Sequence, residues 1–326
     1  MMARRRSLYL LPAALAMLGG LTACDDKPAS QANPPSSVTG TASGVNAASV
    51  NGAPAIAGYP RMVTDARGKQ ITFSAPPRHI VSLMPSNTEI LFALGKGDAV
   101  VMDTLSCDFP PEAKHKAHVD ATKAAIEPIL AQAPDLVVAD DKYNNRLIPA
   151  LEKAGVPILV VGIRNVAQIY DAIRMIGKAT GADSNAEKLV GDMQAKIEKV
   201  RASVATANRK PSVLVMYSDN PIYTSGPDEF ISEVIGIAGG VNVVTEPLRG
   251  NVITPEKVVE LQPEVIIADA DIQARARRIP GWADAVPAVQ SHRFYSVGDS
   301  DPLVRPGPRL PQAVERLARF LHPELP

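Results

Sequence analysis

Two distant stretches of this chain repeat one another, and the repetition limits the fold more than any other feature. Glu127 to Ala139 reads EPILAQAPDLVVA, and Glu256 to Ala268 reads EKVVELQPEVIIA. Each opens on a glutamate, places a proline seven residues later, and continues with an acidic residue and four apolar ones. A helix stopped by proline and followed by a buried strand explains both stretches. Two lobes with similar wiring are therefore expected, with a cleft between them as the natural place for a ligand.

The surrounding pattern fits an α/β class. Short apolar runs at Arg78 to Met84, Ala99 to Met102, Leu136 to Ala139 and Gly155 to Val161 alternate with helical stretches at Thr88 to Leu94, Glu127 to Ala133 and Leu147 to Ala154. Strand and helix in alternation predict a wound parallel sheet. Pro85-Ser86-Asn87 reads as a loop facing the cleft, with the helix capped near Asn87 or Thr88. Asp103 to Pro111 reads as an irregular loop. A helix over Asn165 to Thr180 is followed, after Gly181, by a long proline-free one from about Asp183 to Ala207, enough to span two lobes. After Lys210-Pro211 the plan returns, with a strand at Ser212 to Tyr217, a polar loop at Ser218 to Pro227 and a helix at Asp228 to Ala238. Aromatic residues make up only 4 % of the chain, which suits helices packed on parallel strands better than a β-sandwich.

Lys plus Arg equals Asp plus Glu at 34 each, so no strong field points to nucleic acid. The amino terminus carries a basic Arg4-Arg5-Arg6, an apolar Leu8 to Leu21, and then Leu21-Thr22-Ala23-Cys24. This resembles a bacterial lipobox, which implies cleavage after residue 23, acylation of Cys24 and anchoring in the membrane. Asp25-Asp26 resembles the signal that retains lipoproteins at the inner membrane. With Cys24 acylated only Cys107 remains, so no intramolecular disulfide is expected. Residues 24–58 beyond the anchor are rich in Ala, Ser, Gly and Pro and read as a tether.

Thr64 to Lys69, Arg78 to Gly95 with Pro85-Ser86-Asn87-Thr88-Glu89, Asp108-Phe109-Pro110-Pro111, Pro134 to Ala139 and Ala238 to Asn242 together resemble the periplasmic binding proteins for cobalamin, haem and iron siderophores. The closest likeness is to the cobalamin receptors. The resemblance implies two α/β lobes with parallel sheets, at 59–182 and 209–326, joined by one long rigid backbone helix at 183–208. It also implies a monomeric receptor without chemistry or cofactor, held at the periplasmic face of the inner membrane, that hands a metal chelate to an ABC permease dimer with its ATPase. Carried over by position, the cleft would be lined by Pro85, Ser86, Asn87, Ser106, Cys107, Asp108, Tyr223, Asp301 and Arg305. Carboxylate, guanidinium and phenol suit the amide rim and apolar face of a corrinoid. A tryptophan and a tyrosine of the cobalamin cleft have no counterpart near Ala121 and Ser106, which leaves an iron siderophore or haem as the alternative ligand. In such receptors one glutamate on each lobe docks on the permease, and Glu127 and Glu256 hold those places.

Cys107, His115 and His118 could also be assembled into a soft metal site or a thiol-dependent enzyme. Their spacing follows no regular motif, and the chain carries no nucleophile elbow, phosphate-cradling glycine loop or zinc-protease helix. A surface role for the histidines and a packed thiol at Cys107 are the simpler readings.

Overall fold

A computed structural model describes residues 56–123, 125–298 and 302–325. The signal segment 1–23, Cys24, nearly all of the expected tether and Asp301 lie outside the described residues.

The first lobe opens on an antiparallel hairpin, β1 (Arg61–Thr64) and β2 (Gln70–Phe73). It continues through β3 (Ile80–Ser82), α1 (Pro85–Ala93), β4 (Val100–Thr104), β5 (Ala117–Val119), α2 (Glu127–Leu130), β6 (Leu136–Asp140), α3 (Ile148–Lys153) and β7 (Ile158–Val161). Two helices follow, α4 (Val166–Thr180) and α5 (Asp183–Val204). The second lobe holds β8 (Ser212–Val215), β9 (Ser218–Asp219), β10 (Ile222–Tyr223), α6 (Phe230–Ile237), β11 (Val241–Asn242), β12 (Val252–Ile253), α7 (Pro255–Leu261), β13 (Val265–Ala268), α8 (Ala270–Ala276), α9 (Trp282–Ala285), α10 (Pro287–Gln290), β14 (Phe294–Ser296) and α11 (Leu310–Leu321).

The larger sheets are parallel throughout, in the orders β5-β4-β3-β6-β7 and β11-β8-β13-β14. Aligning β3 with β8 brings β4, β6 and β7 onto β11, β13 and β14. The repeated stretches thus become α2–β6 and α7–β13, the same unit at the same place in two sheets, which is the two-lobed α/β fold expected from the sequence. Each repeated strand is buried along its whole length, as a strand covered on both faces must be.

Several boundaries differ from the sequence expectation, each for a local reason. Pro85 is the first helical residue of α1 and Met84 its cap, so Pro85, Ser86 and Asn87 form a helical turn rather than a loop. Proline suits that position because its missing N–H has no intrahelical partner there. α2 stops at Leu130, and Ala133 takes a left-handed conformation (φ 44°) ahead of Pro134. β4 runs on to Thr104, and the polar loop after β8 contains β9 and β10, which form a short antiparallel sheet with the distant β12.

α4 is capped by Asn165, whose Oδ1 accepts from the Gln168 N–H at 2.9 Å, and ends on Gly181 at φ 70°. α5 buries Ala186, Val190, Met193, Ile197 and Val200, a seam at alternating spacings of four and three residues. With that seam α5 packs on α4 from the first lobe and on α11 from the second. At the α4–α5 contact a Cβ on Gly177 would stand 2.6 Å from that of Ala186, so glycine permits the close approach. One apolar cluster therefore runs from Ile80, Leu136 and Leu159 through α4 and α5 to Val213, Val265 and Leu317. The outer face of each sheet has its own smaller cluster, one around Val81, Val137 and Leu151 and one around Leu214, Ile266 and Trp282. Among the described residues no helix is long and apolar enough to cross a membrane.

Candidate functional site

In both sheets the chain leaves each parallel strand at its carboxyl end, and two of the polar contacts that cross between lobes come from segments directly after those ends. After β4, Ser106 and Asp108 meet Arg305, which follows β14: Nη1 donates to Asp108 Oδ1 at 2.6 Å and Nη2 to the Ser106 carbonyl at 3.2 Å. After β6, Lys142 lies 3.8 Å from Glu229 of the second lobe. The carboxyl ends of the two sheets thus face one another, and in open α/β sheets that is where ligands bind.

The turn after β6 is built to hold its shape. Asp140 Oδ1 accepts from the N–H groups of Lys142 (2.8 Å) and Tyr143 (3.0 Å), while Asn144 Oδ1 accepts from the Asp140 N–H at 2.8 Å. Asn144 Nδ2 donates to the Leu83 carbonyl at 3.3 Å, tying the turn to the start of α1. Burial pushes the Asp140 carboxyl up, against the backbone hydrogen bonds and Arg164. This turn presents Tyr143 with 62 % of its surface exposed. From the other lobe, directly after β8, comes Tyr217, whose hydroxyl pairs with Ser225 Oγ at 3.0 Å.

Burial pushes the Tyr217 phenol up to about 12, opposed by the Ser225 hydrogen bond and reinforced by Glu229 and by Tyr143 across the gap. Its surface is nonetheless 47 % accessible. Leu105, 64 % exposed, and Phe109, 38 % exposed, add apolar surface on the segment after β4. The sequence analysis missed Tyr143, Tyr217 and Leu105. The usable signal was an aromatic or large apolar residue one to three places beyond a buried run.

Other expected site residues take varied positions. Ser86 and Asn87 are buried in the first turn of α1, and both polar side-chain atoms of Asn87 have no hydrogen-bond partner among the described residues. Tyr223 is half-buried in β10, and its carbonyl accepts from the Tyr217 N–H at 2.9 Å. Arg305 is occupied by the first lobe rather than reaching into open space. Cys107 departs most from the expectation of a ligand contact. It is 3 % exposed, with its sulfur 3.2 Å from the hydroxyls of Thr88 and Thr104, and burial pushes its thiol up. A buried thiol with a raised pKa is a poor nucleophile. Nor does it join the histidines: no group of three His, Cys, Asp or Glu that could hold a metal occurs among the described residues.

His118 instead pairs with Asp103, its register partner on the neighbouring strand, Nδ1 lying 2.5 Å from Oδ1. Burial pushes the Asp103 carboxyl from its ordinary 3.8 up to about 6, opposed by His118 and Lys116. A carboxyl raised on folding contributes stability that is fully present below its unfolded pKa and lost as pH rises through the folded one. Asp103→Asn, which cannot ionise, is therefore expected to gain stability relative to the parent by about 1–3 kcal/mol as pH rises from 4 to 7. Urea unfolding of both proteins across that range checks it; parallel curves would show that Asp103 does not titrate there.

Residues 80–300 match the family model described as periplasmic binding protein. The chain is 34 % identical to the uncharacterized ABC transporter substrate-binding lipoprotein YvrC of Bacillus subtilis, covering 82 % of this chain and 87 % of that protein. It is 28 % identical to the vitamin B12-binding protein of Vibrio cholerae, covering 76 % and 90 %. Among solved structures, the Vibrio cholerae vitamin B12 binding protein BtuF superposes with a TM-score of 0.68 at 28 % identity, covering 76 % of this chain and 97 % of that one. The heme-binding protein RhuT from Roseiflexus sp. RS-1 gives 0.68 at 26 %, covering 76 % and 98 %. With two thirds of its length inside the family model and a relative above 30 % identity along most of both chains, this chain belongs to the periplasmic binding protein family.

Proposed function

We propose that this chain is the extracytoplasmic substrate-binding protein of an ABC importer and that its ligand is a bulky metal chelate, a corrinoid being favoured. The observation that carries this reading is the pair Tyr143 and Tyr217, one from each lobe, exposed on built turns at the facing carboxyl ends of the sheets. Two exposed aromatic side chains, one from each lobe, suit a large, flat, partly apolar ligand, and the likeness to vitamin B12-binding proteins supports a corrinoid. Ser106, Asp108 and Tyr223 belong to the same rim, and Asp301 is proposed with them. Cys24 is proposed as the acylated anchor.

A haem or iron-siderophore ligand is the second reading, favoured by the exposed phenols, since phenolate is a ligand for ferric iron, and by the likeness to RhuT. Mixing the purified protein with cyanocobalamin, haemin or a ferric hydroxamate, desalting, and recording the absorption spectrum separates the readings. Cyanocobalamin is expected to co-elute; elution of all three chelates without protein would overturn the proposal.

For delivery, Glu127 and Glu256 are proposed as the docking charges. Each is exposed in the first turn of its helix, at equivalent places in the two lobes. Equivalent charges on related lobes suit a two-fold symmetric partner. Glu127→Ala/Glu256→Ala is expected to slow uptake into permease-containing vesicles at least several-fold and to blunt its salt dependence, with ligand affinity and melting temperature unchanged. Unimpaired transport by the stable double variant would reject the docking role.

A further inference from the structure

Residues 305–309, just before α11, lie against the first lobe and form charge pairs with it. Arg309 grips Glu89 of α1 with two bonds, Nε to Oε2 at 2.8 Å and Nη2 to Oε1 at 2.5 Å. Arg305 Nη1 stands 3.8 Å from the same carboxylate and 2.6 Å from Asp108. The Arg309 guanidinium also lies 3.9 Å from the centre of the Phe109 ring. Between the two arginines Gly307 rests against α1, where a Cβ would meet Glu89 Oε2 at 3.6 Å and the Ser86 carbonyl at 3.8 Å. The Glu89 side chain is 2 % exposed and that of Arg305 9 %.

These distances order the contacts. Two guanidinium groups share one buried carboxylate, Glu89, with Arg305 nearly buried beside it and the Arg309 side chain 21 % exposed. From there one arginine reaches Asp108 and the Ser106 carbonyl, while the other covers Phe109. The segment 106–109 is thus fixed at three points by groups that depend on a residue it does not itself touch in these contacts. A buried charge left without its partner is costly, so loss of Glu89 is expected to loosen both arginines. The carboxylate and both guanidinium groups are fork-shaped, which adds direction to the charge.

We infer that Glu89 is a positioning residue for the ligand-facing segment 105–109, acting through Arg305 and Arg309, and that Arg305 serves the cleft by holding Asp108. This rests on the reading of that segment as part of the ligand wall. Besides the apolar spine through α5 and the contacts of Lys142 and Val166 with Glu229 and Glu233, this ionic strap then joins the lobes and sets the shape of the cleft's edge.

Amide hydrogen exchange of the ligand-free protein tests the inference without needing the ligand. Glu89→Gln, which keeps shape but removes the charge, is expected to speed exchange at least tenfold in 105–109 and 303–310 and to leave β6, β7 and α3 protected. Asp108→Asn should speed the 105–109 segment alone. Because both act through Arg305, the double variant should add less than twofold to Glu89→Gln. Unchanged exchange in 105–109, fully additive effects, or loss of protection throughout the first lobe would each overturn the positioning role. Should Glu89→Gln not fold, Arg309→Lys, which keeps the charge but loses the two-pronged grip, carries the same expectation with a smaller change. Binding of cyanocobalamin and haemin to the same variants then separates the two ideas. Altered exchange with neither chelate bound, even by the parent, would count against the ligand reading and leave the strap standing.

Discussion

Tyr143→Ala/Tyr217→Ala is expected to weaken binding of the chelate by at least about 100-fold. Aromatic anchors at recognition sites contribute about 2 kcal/mol or more each, and two on opposite walls approach additivity. About 4 kcal/mol corresponds to roughly a thousandfold. Stability should fall modestly, since Tyr143 is exposed while Tyr217 gives up its bond to Ser225 and the packing of its half-covered ring. The phenylalanine variants refine the result. With a corrinoid stacked on the rings, Tyr143→Phe and Tyr217→Phe keep most of the affinity; with ferric iron held by a phenolate, one of them abolishes the visible charge-transfer band. Titration calorimetry and absorption spectra read both outcomes. Parent-like binding by the double alanine variant would remove these tyrosines from the site.

Gly239→Ala is expected to cost about 2–4 kcal/mol of unfolding free energy in urea. Gly239 follows α6 with φ +84°, where a Cβ would stand 2.5 Å from His322 Nε2 and 2.9 Å from the Val204 Cβ. The ends of α6, α5 and α11 converge there, and His322, 1 % exposed, pairs through Nε2 with the Gly239 carbonyl at 3.1 Å. Overpacking contributes about 1–3 kcal/mol and the left-handed backbone about 1 more. Gly250 supplies the comparison, with φ +69° and nothing within 4 Å of an added Cβ. Gly250→Ala should therefore show the backbone cost alone, about 1 kcal/mol. Equal losses at the two glycines would mean that the junction repacks freely.

The fold was legible because its signals are local and periodic. Buried strands such as Leu136 to Ala139, a capping Asn165, a terminating Gly181 and the apolar seam of α5 each declare themselves within a few residues. The match between the two proline-stopped units carried the pairing of lobes. The cleft was less legible because its walls are built from side chains brought together across the chain. Nothing near Cys107 in the sequence says that Thr88 and Thr104 will enclose its sulfur. Arg305 looked available to a ligand because Asp108 and Glu89 lie so far from it in sequence. Tyr143 and Tyr217 belong to no periodic pattern, and their exposure follows only from the direction in which two sheets face. Trp282, the one tryptophan, lies fully buried in the cluster on the outer face of the second sheet. Its fluorescence is suited to following unfolding rather than occupancy of the cleft.

The apolar cluster that passes without a break from one sheet to the other divides labour within the molecule. Integrity resides in α4, α5, α11 and the strands they cover, while the proposed recognition surface lies in turns that contribute little to that interior. Selection can therefore rewrite the turns, exchanging one aromatic or charged group for another, without drawing down the cohesion of the whole. A scaffold arranged in this way is free to diversify in cargo while its framework stays put, so ligand preference is the property of such a lineage that drifts most readily and that framework similarity reveals least.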